Sequence, residues 1–160
     1  RAQPGAITIA VERVRAGRGH DTVAARMEQG GAPMAVALAT LGRRREGGPE
    51  FLNLQPPPLD PPSQCLERAF DPPPEMTFLQ RFEHRFPAAD VERARRGEPR
   101  DAAFTGWVRL RDGDVDDVAV PLIADCFPPP VFAALGGGFA PTLELTVHWR
   151  STPRTSRRSA

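Results

Sequence analysis

The residues best placed to do chemistry lie in one stretch, Val118 to Trp149, VAVPLIADCFPPPVFAALGGGFAPTLELTVHW. Val118, Leu122 and Asp125 fall on one stripe of a 3.6-residue helix. A carboxylate on the stripe that should face the core is costly unless it is paired or used. Flanked by Leu122, Ile123 and Phe127, Asp125 is expected to be desolvated, and acid–base work is the chemistry open to it. On the residues alone it could equally close a short helix. A Gly-rich turn, Gly136 to Gly138, then leads into a segment of strict alternation. There Leu143, Leu145, Val147 and Trp149 take one face of a predicted strand, and Thr142, Glu144, Thr146 and His148 the other.

Other reactive groups carry less. Cys126 and His148 invite a Cys–His nucleophile, but a free Cys in apolar company is commonly a small hydrophobe. His84, alternating with Phe82 and Phe86, reads as a core histidine rather than a ligand, and His20 sits in a hairpin loop. No G-x-S-x-G elbow, P-loop or dinucleotide fingerprint occurs. Cys65 and Cys126 lack metal-ligand spacing, so neither a metal nor a cofactor is expected.

The elements that must position these residues follow from pattern. Gly5 to Val14, Thr22 to Gln29 and Met34 to Leu41 alternate as three strands of an antiparallel meander. Gly17 and Gly19 are expected to supply positive φ in the first loop, and Gly30, Gly31 and Pro33 turn the second. Arg43 to Pro74 reads as a Pro-rich linker, with a helical turn over Ser63 to Phe70. Thr77 to Phe86, which as a helix would align Leu79, Phe82 and Phe86, and Ala103 to Arg111 read as strands around a charged excursion at Asp90 to Arg96. Asp114 is the expected helix cap, and Pro121 is expected to kink the helix.

Composition fits a folded protein of 160 residues, 40% hydrophobic and 26% charged. A formal net charge of +1 argues against a general polyanion binder. The 21 basic residues are all arginine, so the tail with Arg150, Arg154, Arg157 and Arg158 reads as a solvated charge run. The apolar run Val118 to Ala124 is far short of the ~18 residues that span a bilayer. No nucleic-acid or membrane partner is expected, and two cysteines suggest a reducing, cytoplasmic setting.

Arg1 to Pro4 and Arg150 to Pro153 form a faint R-x-x-P repeat that suggests a window across two repeats. Three segments carry a resemblance: VERVRAGRGHDTVAARMEQGGAPMAVALATLG, LIADCFPPPVF and PTLELTVHWRSTP. In this order the chain resembles the acyl-CoA thioesterase II group of double hot-dog proteins. The resemblance implies an α+β hot-dog fold, an antiparallel sheet wrapped around a central helix. It implies parts of two repeats: residues 1–42 as the last strands of the first, 43–75 as linker, 76–150 as the front of the second, and 151–160 as a basic tail. It further implies hydrolysis of acyl-CoA, as part of lipid metabolism, in a homo-oligomer. Asp125 would take the catalytic Asp position and Thr142 the hydroxyl position, together positioning the hydrolytic water. The family's late Gln would lie beyond Ala160, and Gln29 resembles its counterpart in the first repeat. Backbone N–H groups of Gly136 to Gly138 are candidate oxyanion donors. The alternatives are a non-catalytic acyl-thioester binding module and an Arg-tail nucleic-acid binder, the latter expected to show steep salt dependence.

Overall fold

The computed structural model describes residues 3–43, 47, 53, 55–68, 76–138 and 140–150, and the chain divides into two compact units between residues 54 and 55. The first unit is an antiparallel sheet in the order β1–β2–β3, formed by Thr8–Arg15, His20–Gln29 and Ala32–Gly42. Its register sets Ile9 opposite Met27 and Met27 opposite Ala35, which gathers Val11, Val23, Ala25 and Ala37 onto the same apolar face. A slip of one residue would replace that face by the one bearing Glu12, Arg26 and Glu28. Every residue of β1 is exposed.

The turn from β2 to β3 has two residues, Gly30 and Gly31, with φ of 58° and 77°. Paired positive φ matches the twist of the flanking strands, and only glycine adopts it freely. Gly17 and Gly19 do not share this conformation, contrary to expectation. At Gly17 the requirement is space: a Cβ there would lie 2.4 Å from the His20 carbonyl oxygen. Gln29 brackets the start of the unit, donating to the Gln3 carbonyl at 2.6 Å and accepting from the Gln3 N–H at 2.8 Å.

The second unit holds β4 (Leu66–Glu67), β5 (Phe82–Phe86), α1 (Ala88–Arg95), β6 (Trp107–Leu110), α2 (Ala119–Ala124) and α3 (Val131–Leu135). Its sheet is antiparallel in the order β4–β5–β6. The helical turn expected from Ser63 is a 3-10 turn over Pro62–Gln64, and the chain extends at once into β4. Both long strands predicted around α1 are shorter than their patterns. The ladder stops at Phe82 opposite Leu110, because Asp112-Gly113 turns the partner strand away, with Gly113 at φ 87°. Thr77–Arg81 therefore winds as a 3-10 turn. At the other end Pro87 stops β5, so residues before Trp107 meet no strand.

The core lies between the inner face of β5 and the segments that follow it. Phe82, Phe86, Val91, Cys65, Cys126 and Ala133 are buried, together with Glu83 and His84. Phe86 packs against Phe104 and Phe127, with ring centroids 5.8 and 5.9 Å away. Arg100 seals the edge, paired to Asp90 at 2.6 Å with its guanidinium 4.6 Å from the Phe104 ring centre. The strand predicted over Thr142 to Trp149 is absent. No strand among the described residues pairs with it, so its alternation buries no face and Leu143 is 95% exposed. Arg1, Arg154, Arg157, Arg158 and part of the Pro-rich linker lie outside the described residues.

Candidate active site

The helix that carries the candidate carboxylate is short and pinned at both ends. Asp116, not Asp114, holds the turn that leads into it: its Oδ1 accepts from the N–H groups of Val118, the N-cap, and Ala119 at 3.0 and 2.8 Å. The helix begins at Ala119, four residues later than an Asp114 cap would set it. Pro121 thus falls in the first turn, where its missing N–H costs little, and the expected interior kink has no place. The carbonyl of Asp117, just ahead of the helix, has its own partner. The Trp149 indole N–H donates to it at 3.2 Å.

Asp125 is the residue that ends α2, with φ −102° and ψ 2°. Its N–H still closes onto the Pro121 carbonyl at 3.2 Å. The Thr142 hydroxyl donates to Asp125 Oδ1 at 2.7 Å, so the two predicted site residues, 17 apart in sequence, meet directly. A carboxylate at a helix C-terminus faces the negative end of the dipole, and a hydroxyl donor offsets part of that cost. Desolvation of Asp125 is not found: Asp125 and Thr142 are both exposed. The reason is the helix itself, which buries none of its six residues, so the stripe through Val118 and Leu122 also faces out.

Behind Asp125 the chain turns inward. Cys126 is buried, and its thiol donates to the Ile123 carbonyl at 3.0 Å. Burial pushes the thiol up to about 11, which leaves almost no thiolate at neutral pH. His148 is exposed, and the histidine that does reach Cys126 is His84, which meets the carbonyl oxygen rather than the sulfur. His84 Nε2 lies 3.1 Å from that oxygen, and burial first, then the Arg68 charge, lowers its pKa. His20, by contrast, lies 3.0 Å from Arg15 Nη1 on the exposed first hairpin.

On the opposite face of the same sheet, Glu83 accepts from Arg85 Nε at 2.6 Å and Arg109 Nε at 2.7 Å. The Arg85 hydrogen bond leads in holding its carboxyl below the usual range. Of the three candidate oxyanion donors, Gly136 is already committed, its N–H donating to the Phe132 carbonyl at 2.9 Å as the left-handed cap of α3. Among the described residues no group of three His, Cys, Asp or Glu is arranged to hold a metal ion, and no helix is long and apolar enough to cross a membrane.

Two anchors escaped the sequence reading. No sequence signal marks the Asp117 carbonyl as the acceptor for Trp149, and the buried alternation Phe82, His84, Phe86 was the signal for an inward imidazole.

The chain matches the acyl-CoA thioesterase C-terminal domain model over residues 62–158 and the acyl-CoA thioesterase N-terminal domain model over residues 1–42. Among solved structures it is similar to a candidate thioesterase II from Thermobifida fusca YX, at 23% identity, covering 79% of this chain and 48% of that one with a TM-score of 0.66. A hot-dog protein of unknown function from Alicyclobacillus acidocaldarius matches at 25% identity over 81% of this chain and 47% of that one, TM-score 0.65. A candidate thioesterase from Novosphingobium aromaticivorans matches at 22% identity over 81% of this chain and 49% of its own, TM-score 0.66. The fold is therefore an α+β hot-dog fold, and the chain spans about half the length of each of these structures. No curated protein matches the sequence.

Proposed function

This chain belongs to the acyl-CoA thioesterase family, and we propose that it supplies the Asp125–Thr142 half of a site that hydrolyses acyl-CoA to a free acid and CoA. The observation that carries this reading is the 2.7 Å hydrogen bond from Thr142 to Asp125. With Oδ1 held by the hydroxyl, Oδ2 is left to accept a proton from water. In the step proposed, that water gives its proton to Asp125 as its oxygen bonds to the thioester carbonyl carbon. The tetrahedral oxyanion then collapses, the C–S bond breaks, and the CoA thiolate takes the proton back. Thr142 holds the carboxylate in one rotamer, which fixes the direction of attack. Gly137 and Gly138 are the remaining glycine N–H donors for the oxyanion. The buried, protonated Cys126 supports a water-based route over a thiol nucleophile.

The exposure of Asp125 favours a second reading, an acyl-thioester binding module without turnover. Thiol release from a panel of acyl-CoAs separates the two. Under the hydrolase reading Asp125→Asn lowers turnover by ~10²- to 10⁴-fold, the share a general base supplies. Unchanged turnover would refute the role of Asp125, and saturable binding without turnover in the parent protein favours the binding module.

A further inference from the structure

His84 is 2% exposed in the middle of β5, enclosed by three phenyl rings. Phe86 stacks within 3° of parallel at 6.1 Å, Phe127 meets it edge-on at 5.6 Å, and Phe82 lies tilted at 5.9 Å. These contacts leave the imidazole little freedom to turn. Its Nε2 lies 3.1 Å from the Cys126 carbonyl oxygen, which can only accept, so Nε2 carries the proton. Nδ1 then holds a lone pair, and it is buried without a hydrogen-bond partner. A buried polar atom left unpaired calls for an explanation, since a phenyl ring would fill this aromatic nest without that cost.

The explanation lies in where Nε2 points. Cys126 directly follows Asp125, and its N–H and thiol both donate to the Ile123 carbonyl, at 3.3 and 3.0 Å. The His84 bond fixes the remaining polar group of that residue, so the chain leaving Asp125 is held on both sides of the Cys126 peptide. Thr142 donates to the Asp125 carboxylate itself.

We infer that His84 is a positioning residue: its Nε2–H pins the Cys126 carbonyl and thereby aims the Asp125 carboxylate at Thr142. The catalytic meaning of this contact rests on the hydrolase reading above; the geometric meaning does not. The groups that set the charge of the imidazole are Arg68 and Arg111, both positive, and the Cys126 carbonyl. Burial first, then the Arg68 and Arg111 charges, favours the neutral ring, whereas the Cys126 carbonyl works the other way; in either state Nε2 is the donor to that carbonyl.

Three measurements on the full chain test this. Ring nitrogen NMR of the parent protein is expected to show the Nε2–H tautomer; the Nδ1–H tautomer would overturn the inference without any variant. In His84→Phe, which keeps an aromatic ring and loses the donor, the Asp125 side-chain carbon resonance moves and kcat falls about tenfold or more with KM within about twofold, as expected for a misaimed group. His84→Gln, which restores an N–H donor, recovers most of both. An unmoved Asp125 resonance in folded His84→Phe, or a Gln variant as impaired as the Phe variant, overturns it. A parent protein that releases no thiol from any acyl-CoA refutes the hydrolase reading alone, and the Asp125 resonance still judges His84.

Discussion

Thr142→Val isolates the central contact, because valine keeps the β-branched shape and loses only the hydroxyl. The bond removed is charge-assisted, a class worth about 1.5–3 kcal/mol when shielded. Here both partners are exposed, water replaces the lost donor readily, and the effect on stability is expected below about 1 kcal/mol. The kinetic effect follows a different rule. Once Oδ1 is freed, Asp125 can rotate about its side-chain torsions, and its open oxygen no longer points in one direction. Misalignment of a reacting group costs up to about 10²-fold. The two magnitudes therefore separate: a change in unfolding midpoint near the error of the measurement, and kcat for thiol release down about 10- to 100-fold. Urea unfolding followed by circular dichroism, beside steady-state thiol release, reads both. Turnover within twofold of the parent would refute the role of the hydroxyl. A loss of turnover that tracks an equal loss of stability would show that Thr142 only holds the segment in place.

Two further outcomes follow from the core. His84 is neutral and its pKa is lowered by burial, so the folded state resists protonation that the unfolded state accepts. Its contribution to stability is full above the unfolded value near 6.5 and is lost as pH falls through the lowered folded value. Urea midpoints measured across that range should fall towards acid in the parent and fall less in His84→Gln; parallel slopes would contradict this. Gly106→Ala places a Cβ 2.6 Å from the Arg85 carbonyl oxygen and 2.8 Å from a Phe86 ring carbon, so it should cost about 1–3 kcal/mol through overpacking. Gly113→Ala, at φ 87° with open space around it, should cost about 1 kcal/mol through backbone strain alone, and a reversed order would refute the packing argument.

The parts of the fold that were legible in sequence are those that local chemistry alone decides. β1, β2 and β3 follow a two-residue period, and Gly30-Gly31 dictates its own turn, so the strands could be placed without a structure, though not the register with its shift at Met27/Glu28 or the pairing of Pro33 inside β3. Local pattern fails where pairing is decided elsewhere. Thr142 to Trp149 alternates better than any strand in the chain, yet it meets no ladder among the described residues and stays exposed. Its two fixed points are instead side chains at its ends, the Thr142 hydroxyl on Asp125 and the Trp149 indole on Asp117. The cap was misplaced for a related reason. Asp114, Asp116 and Asp117 are chemically equal as acceptors for the N–H groups at the helix start, and nothing local distinguishes Asp116, which the structure uses.

The pairing of Asp125 with Thr142 came from family resemblance, since neither spacing nor alternation relates a helix end to a residue 17 positions on. The anchor behind it was partly readable. An alternation of Phe, His and Phe says that one imidazole must enter an apolar interior, and a buried imidazole needs a partner for at least one nitrogen. Sequence could announce that need but not its answer, because the acceptor is a backbone carbonyl 42 residues away. Such an acceptor carries no residue signature, as every residue offers the same carbonyl. Polar atoms inside this core therefore mark where distant backbone is held, and here the backbone held is the turn that carries the candidate base.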